Sequence, residues 1–357
     1  MDLTAASLKQ IAVIEGDDAA PEAMRPVIDL LQAQNLPISL VYPVVGQPAI
    51  DATGTPFPSE ARNSIDSSAA TLFGATSGPS GAALMYLRWG KNTYANVRPC
   101  RYFPGIASPL GNPAGIDFTI VRENLEDLYV AVEGDLSELD FLDKPGRTTR
   151  KPIRELGEGR YAIKAITRQG TERVVQFAFE LARKRSKQNK VTCVVKHNML
   201  RESDGFFLEV AKEVAEANSD VEFDHFIVDD FACRMIREPQ RFDVIVMPNL
   251  YGDVLSDAAG GLLGSLGLAA SGCYGDDYAY FEPAHGTAPD IAGKNIINPT
   301  ATLMTVGMMM EYLGFTEFAT RLDHAIEAVY AEGKTLTPDQ GGSASTSDMV
   351  MAVAHVL

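Results

Sequence analysis

Two aspartates four residues apart, Asp253 and Asp257, follow an apolar run at 243–247 and the tetrapeptide Asn249-Leu250-Tyr251-Gly252, which reads as a turn. On a helix starting there, residues i and i+4 share one face. Two readings stay open for this segment: a helix cap with a solvated neighbour, or two hard oxygen ligands for Mg²⁺ or Mn²⁺. Three arginines, Arg88 in LMYLRWGK, Arg98 in ANVRPCR and Arg122 in IVREN, each sit beside the end of an expected element. Gathered at one cleft, their guanidiniums would grip carboxylates bidentately. A single arginine is usually a surface residue, but the apolar flanks of Arg98 and Arg122 call for a partner. Tyr129 follows the Arg122 loop, and Lys196 ends the apolar run 191–195 in VVKHN. A lysine at the mouth of a buried strand either snorkels to water or serves as a base. The stretch 282–293, EPAHGTAPDIAG, is a Gly/Pro-rich loop with His, Thr and Asp, which suits a ligand better than a core.

These residues need elements to hold them. Strand-like runs at 10–14, 38–42, 69–74, 94–97, 117–121, 191–195, 222–228 and 243–247 alternate with helical patterns at 21–34, 84–89, 172–186, 205–217, 231–237 and 254–266. That alternation predicts an α/β protein with much parallel sheet. The stretch 128–160 mixes charge, Gly and Pro without helical period and reads as strands and loops that project from the body. The first strand is followed by GDDAAPE, with no GxGxxG, so a Rossmann site is not supported and a dinucleotide would use another loop.

Bulk properties narrow the class. The 357 residues suffice for one large domain or two ordinary ones, and 46% hydrophobic with 22% charged residues is a globular balance. A net charge of -16, from 31 basic and 47 acidic residues, opposes broad binding to nucleic acid or an anionic membrane. A locally basic cleft remains compatible with it. The four cysteines form no CxxC pair, which suggests reduced thiols rather than a zinc cage or disulfide framework. Residues 1–10 lack the pattern of a signal peptide, and no apolar run reaches the ~18 residues of a membrane helix. The expectation is a cytoplasmic protein with neither a nucleic-acid nor a membrane partner.

Taken together, YANVRPCR, IVREN, VVKHN, the VDD at 228–230, NLYGDVLSD, FEPAHGTAPDIAGKNIINPTA and TPDQGGSASTSD resemble the metal-dependent β-decarboxylating dehydrogenases, the isocitrate/isopropylmalate dehydrogenase family. The resemblance covers nearly the whole chain. It implies an isopropylmalate-dehydrogenase-like two-domain fold around a shared twisted mixed sheet, with a non-Rossmann dinucleotide site. Residues 1–104 and 265–357 would form the large domain, and 105–264 the small one with a dimerisation arm at about 128–160. By position, Arg88, Arg98 and Arg122 would hold substrate carboxylates, and Asp253 and Asp257 would bind Mg²⁺ or Mn²⁺ with Asp229 of a second copy. Lys196, also from the second copy, would be the base with Asn198 nearby, and Tyr129 the acid. Glu282, His285, Gly286, Thr287, Ala288, Asp290, Ile291 and Asn298 match the dinucleotide segment. A carboxylate at Asp290 accepts ribose hydroxyls and repels a 2′-phosphate, so NAD is expected over NADP. The implied partners are a 2-hydroxy dicarboxylate or tricarboxylate and a second copy of the chain, as a homodimer.

The chain departs from the family in three places. The usual GDGIGPE is GDDAAPE at 16–22, and the usual RENTEGEY is RENLEDLY, with Leu125, Asp127 and Leu128 as replacements. In the recognition segment 78–87, Ala82 and Leu84 stand where isocitrate enzymes carry Ser and Asn, and Met85 where homoisocitrate enzymes carry a basic residue. An apolar wall of Leu84 and Met85 disfavours an unpaired carboxylate and leans towards an alkylmalate. The Glu that isopropylmalate enzymes carry near Gly81 is missing, so isocitrate comes next, with homoisocitrate, D-malate and tartrate as alternatives. A rival from another class is a regulatory paralogue that binds NAD or a carboxylate without turnover. Such subunits lose metal or arginine ligands, and all are present here.

Overall fold

Apolar and β-branched runs build one ten-stranded mixed sheet in the computed structural model, which describes residues 8–357. Most of the 1–10 segment, read above for a leader, lies outside the described residues. In chain order the strands begin β1 (Lys9–Ile14), β2 (Ile38–Val41), β3 (Ala70–Phe73), β4 (Ala95–Arg101), β5 (Asp117–Glu123), β6 (Glu133–Asp135) and β7 (Arg160–Ala162). They continue with β8 (Lys190–Val195), β9 (Glu222–Ile227), β10 (Val244–Met247), β11 (Ala270–Tyr274) and β12 (Ala279–Pro283). The spatial order is β2-β1-β3-β12-β11-β4-β5-β10-β8-β9. Both ends of the sheet are parallel, and the middle, from β12 through β11 and β4 to β5, is antiparallel.

The helices are α1 (Ala20–Gln32), α2 (Gln47–Thr53), α3 (Ser59–Asp66), α4 (Gly81–Met85), α5 (Arg168–Arg185) and α6 (Ser203–Ala217). After them come α7 (Val228–Arg237), α8 (Asn249–Leu262), α9 (Thr300–Tyr312), α10 (Thr316–Glu332) and α11 (Thr346–Val356). Strand alternation sorts the core. Ile11, Val13, Val194, Ile245 and Met247 face one continuous cluster with residues of α1 and of α7 through α11. On the other face Val195, Val244 and Val246 pack under α5 and α6, while Ala12, Ile14 and Phe73 pack near α3 and α4. One apolar layer therefore runs the length of the sheet, and the opposite layer is split in two.

Three expectations are corrected. Residues 249–252 are the first turn of α8, because Pro248 caps the helix and Gly252 lets it pass close to Arg122. The helix expected at 254–266 thus starts earlier, and it ends at Leu262. The helix expected at 84–89 begins at Gly81 and widens after Met85 into a π-type turn, Tyr86–Gly90. The stretch 128–160 is as expected: a small β6–β7 pair and short turns, with Phe141 80% exposed at its tip.

Candidate active site

The C-terminal ends of β5 and β10 are neighbours in parallel register, with Met247 opposite Arg122. Arg122 leaves β5 under α8 and is only 1% exposed. Its Nε donates to Asn249 Oδ1 at 2.8 Å, and its Nη1 pairs with Asp253. Arg98, from the antiparallel neighbour β4, donates from Nη1 to Ser256 Oγ at 2.7 Å and to Asp257 Oδ1 at 2.8 Å. Its Nη2 lies 3.6 Å from Asp253 Oδ1. Tyr129 donates its hydroxyl to the other Asp253 oxygen, and the Arg122 guanidinium lies 4.9 Å over the Tyr129 ring. Arg88 is buried in the π-type turn, with Nε lacking a hydrogen-bond partner, as is Arg122 Nη2. Two buried, unspent guanidinium donors beside a pair of carboxylates suit an anion that bridges them.

The helical start at Asn249 removes the cap reading of the acidic pair. Asp253 and Asp257 lie in the second and third turns, too far along α8 to cap it. They share one face and feel each other. Burial pushes the Asp257 carboxyl up, Arg98 opposes that, and Asp253 adds to it. For Asp253, burial is outweighed by Arg122, Tyr129 and Arg98, and its carboxyl sits below the ordinary range. Arg122 moves down, through burial and the neighbouring Arg98, with Asp253 countering. Arg88 moves the other way: Tyr280, Glu282 and Cys273 outweigh its burial. Glu282, expected in the dinucleotide segment, belongs electrostatically with these arginines. Burial raises its carboxyl, and Arg88, Arg98 and Arg122 pull it back. All the side chains that could hold a cation here are oxygen donors, which fits Mg²⁺ or Mn²⁺.

Lys196 and Asp229 sit together, apart from that pair. Lys196 follows β8, Asp229 lies in the first turn of α7 after β9, and their side chains pair at 2.5 Å with Asp229 68% exposed. Asn198 is exposed in the turn after Lys196. Lys196 holds the Asp229 carboxyl below its usual range. Among the described residues of one chain, no three His, Cys, Asp or Glu side chains group as a metal site. Leu84 is half-buried on α4 and Met85 exposed at its end.

The segment after β12 forms an open loop. His285 lies with Nδ1 2.9 Å from Gly286 O, and burial lowers its pKa, so it is neutral near pH 7. Gly286 and Asp290 are exposed, Thr287 is half-buried, and Ala288, with φ 51°, and Ile291 pack against Ala19, Ala23 and Ile297. Asn298 has its side chain already engaged within the chain. It is buried, donates to Tyr330 OH at 3.2 Å and Asp339 Oδ2 at 2.9 Å, and accepts from Thr300 N at 2.9 Å. Its side chain ties the start of α9 to α10 and to the segment after it.

Several residues at the site were not singled out from sequence. Asn249 and Ser256, inside NLYGDVLSD, orient the arginines. Asp17 accepts from Ser77 N at 2.8 Å and Ser80 Oγ at 3.2 Å, and Glu22 accepts from Gly293 N and from Asn295 N. The GDDAAPE segment thus ties residues 77–80 to the loop after β12. Ala19 N also donates to Thr287 O at 3.0 Å.

Residues 10–353 match the sequence pattern of the isocitrate/isopropylmalate dehydrogenases. The chain belongs to that family. It is 39% identical over 350 residues to the 3-isopropylmalate/3-methylmalate dehydrogenase of Methanocaldococcus jannaschii, covering 97% of this chain and 98% of that one. It is 38% identical over 354 residues to the isocitrate/homoisocitrate dehydrogenase of Thermus thermophilus, covering 98% of each. The crystal structure of isocitrate dehydrogenase from Methylococcus capsulatus superposes with a TM-score of 0.85 at 35% identity, covering 98% of this chain and 99% of that one. As a member of the isocitrate/isopropylmalate dehydrogenase family, the protein is an oxidoreductase of the oxidative-decarboxylating type that acts on small carboxylates. Family members typically use NAD(P) and a divalent metal. No helix among the described residues is long and apolar enough to cross a membrane.

Proposed function

We propose that the protein is an NAD-dependent, Mg²⁺- or Mn²⁺-dependent dehydrogenase that oxidises and decarboxylates a 3-alkylmalate of the 3-isopropylmalate type. The observation that carries this reading is the convergence of Arg98 and Arg122 on Asp253 and Asp257, with Arg88 close enough to act on Asp253 and the Tyr129 hydroxyl bonded to it. A 2-hydroxy acid with a carboxyl on C3 becomes a 2-oxo acid, NAD⁺ takes the hydride, and CO₂ leaves.

Arg88 and Arg122 hold free buried donors for the substrate carboxylates, which fixes the substrate without water between. Asp253 and Asp257 are the oxygen ligands for the cation, and a dicarboxylate arriving with it lets the arginines exchange partners at balanced charge. When bound, the cation polarises the 2-hydroxyl and its carboxylate, and the nicotinamide accepts the hydride. Tyr129 keeps its proton: burial and Asp253 raise its pKa, so it serves as the acid that returns a proton to C3. Lys196 is the base and Asp229 the third carboxylate, delivered by a second copy. The separation of this pair from Asp253 and Asp257 in one chain supports a shared site, and the projecting 128–160 segment suits a homodimer. In this reading residues 1–104 with 265–357 and residues 105–264 are the two lobes, and the protein works in the cytoplasm with its cysteines free.

The exposed Asp290 supports NAD over NADP, and the half-buried Leu84 supports an apolar C3 substituent over a third carboxylate. One panel tests the proposal: NADH formation with 3-isopropylmalate, isocitrate, homoisocitrate, D-malate and tartrate, each with Mg²⁺ or Mn²⁺ and with EDTA. Turnover preferring 3-isopropylmalate and stopped by EDTA is expected. EDTA-insensitive turnover, or none on any substrate, refutes the mechanism, and a preference for isocitrate refutes the substrate.

A further inference from the structure

Asp127 holds a backbone conformation, φ 67° and ψ −140°, that L side chains rarely adopt. In the RENTEGEY segment that this stretch resembles, its position is a Gly, a residue that takes positive φ freely. Its carboxylate is fully buried. One oxygen accepts from Leu250 N at 2.9 Å, in the first turn of α8, and the other lies 3.3 Å from Lys164 Nζ. The same ammonium lies 2.6 Å from Oδ1 of Asp204, also fully buried, and 4.5 Å over the Tyr251 ring. Asp204 Oδ2 accepts from Lys196 N at 2.7 Å.

Two buried carboxylates thus share one ammonium, and every outer end of the network lands on the backbone next to a reacting side chain. Asp127 precedes Tyr129 in the same loop, Leu250 lies within one helical turn of Asp253, and Lys196 is itself the last contact. A half-exposed surface pair could be lost at little cost, but a buried network fixes position. Neutral capping of α8 would not require the left-handed backbone at 127 or a charge there.

We infer that Asp127 is a positioning residue: paired with Lys164, its carboxylate sets Asp253 and Asp257 relative to Tyr129 and, through Asp204, fixes the backbone of the Lys196 that serves the second copy's site. The inference rests on Asp253 and Asp257 as the cation ligands. It assigns the strained, charged replacement in RENLEDLY a purpose that a glycine cannot serve.

The test uses the full chain with Asp127→Gly, Lys164→Met and the double variant. Mn²⁺ affinity is read by electron paramagnetic resonance of free Mn²⁺, where circular dichroism matches the unaltered protein. Asp127→Gly relieves the backbone strain, so a merely structural role predicts unchanged affinity. Positioning predicts a Kd raised about tenfold in each single variant, as for supports of metal ligands elsewhere. The double variant should be no worse than either single, because the two act as one unit. Affinity within twofold of the unaltered protein in folded Asp127→Gly overturns the inference. If the unaltered protein binds no Mn²⁺, the cation reading itself has failed, and a second readout decides the inference separately. Trp89, the only tryptophan, donates from Nε1 to Leu125 O at 3.1 Å in the same loop. A shift of its emission in Asp127→Gly shows that the carboxylate holds this loop, as the positioning role requires, and an unchanged spectrum overturns that role.

Discussion

Gly252→Ala sets two physical effects against each other at the site. Gly252 lies inside α8 with an ordinary helical backbone, so propensity alone favours alanine by about 1 kcal/mol. A Cβ there would lie 2.5 Å from both Cβ and Cγ of Arg122 and 3.1 Å from its Cα. None of these atoms is the free end of a flexible chain. Arg122 is held at its root by the pairing of β5 with β10 and at its tip by Asn249 and Asp253. Overpacking of this kind costs about 1–3 kcal/mol, more than propensity returns. The net expectation is a loss of order 1 kcal/mol, a Tm lower by about 2–4 °C on the scale for sizeable domains. The larger effect is functional. The clash pushes either α8, with Asp253 and Asp257, or Arg122 itself, and a displacement near 1 Å at reacting groups costs about 10²-fold in rate. Scanning calorimetry and steady-state NADH formation measure the two arms. A raised Tm together with unchanged kcat/KM would refute the claim that close passage of Arg122 under α8 sets the site.

Asp253→Asn keeps an acceptor for Arg122 but removes the charge. Because Asp253 is about a third exposed, stability should drop by only about 1 kcal/mol while turnover disappears; turnover near the unaltered level would contradict its assignment. The same variant carries a pH signature. The folded Asp253 carboxyl lies below its unfolded value, because Arg122, Tyr129 and Arg98 outweigh burial. Its stabilising share is therefore present above the unfolded pKa and lost as pH falls through the folded one. The Tm gap between the two proteins should narrow in acid; a gap that widens there would reverse the sign. Asp290→Ala should raise the NADP-to-NAD ratio of kcat/KM roughly tenfold, about 1.4 kcal/mol, and an unmoved ratio would remove Asp290 from cofactor choice. Asn298→Ala leaves Tyr330, Asp339 and Thr300 short of a partner, so stability should fall by about 1–3 kcal/mol with KM for NAD within about twofold. A selective rise in that KM would return Asn298 to the cofactor.

What could be read in advance followed the length of each physical signal. The strands 191–195 and 243–247 are short, mainly apolar and flanked by turns, and both are legible in the sequence. Helix α9 was not, because its buried residues Thr302, Leu303, Thr305, Val306 and Met309 go nearly round it and leave no stripe. The start of α8 was missed because Asn-Leu-Tyr-Gly has turn chemistry, and only the tertiary passage of Arg122 explains a glycine inside a helix. The same limit governs the site. Arg98, Arg122, Asp253 and Asp257 come from three elements far apart in sequence, and nothing in their spacing reports that two arginines would neutralise two aspartates. Motif resemblance supplied that grouping, but it gave no sign that the Asn298 side chain is buried and bonded to Tyr330 and Asp339. Motifs carry position along the chain, whereas the direction of a side chain depends on which partners are within hydrogen-bond reach. At Asn298 those partners, Tyr330 and Asp339, lie more than thirty residues away, beyond any local pattern.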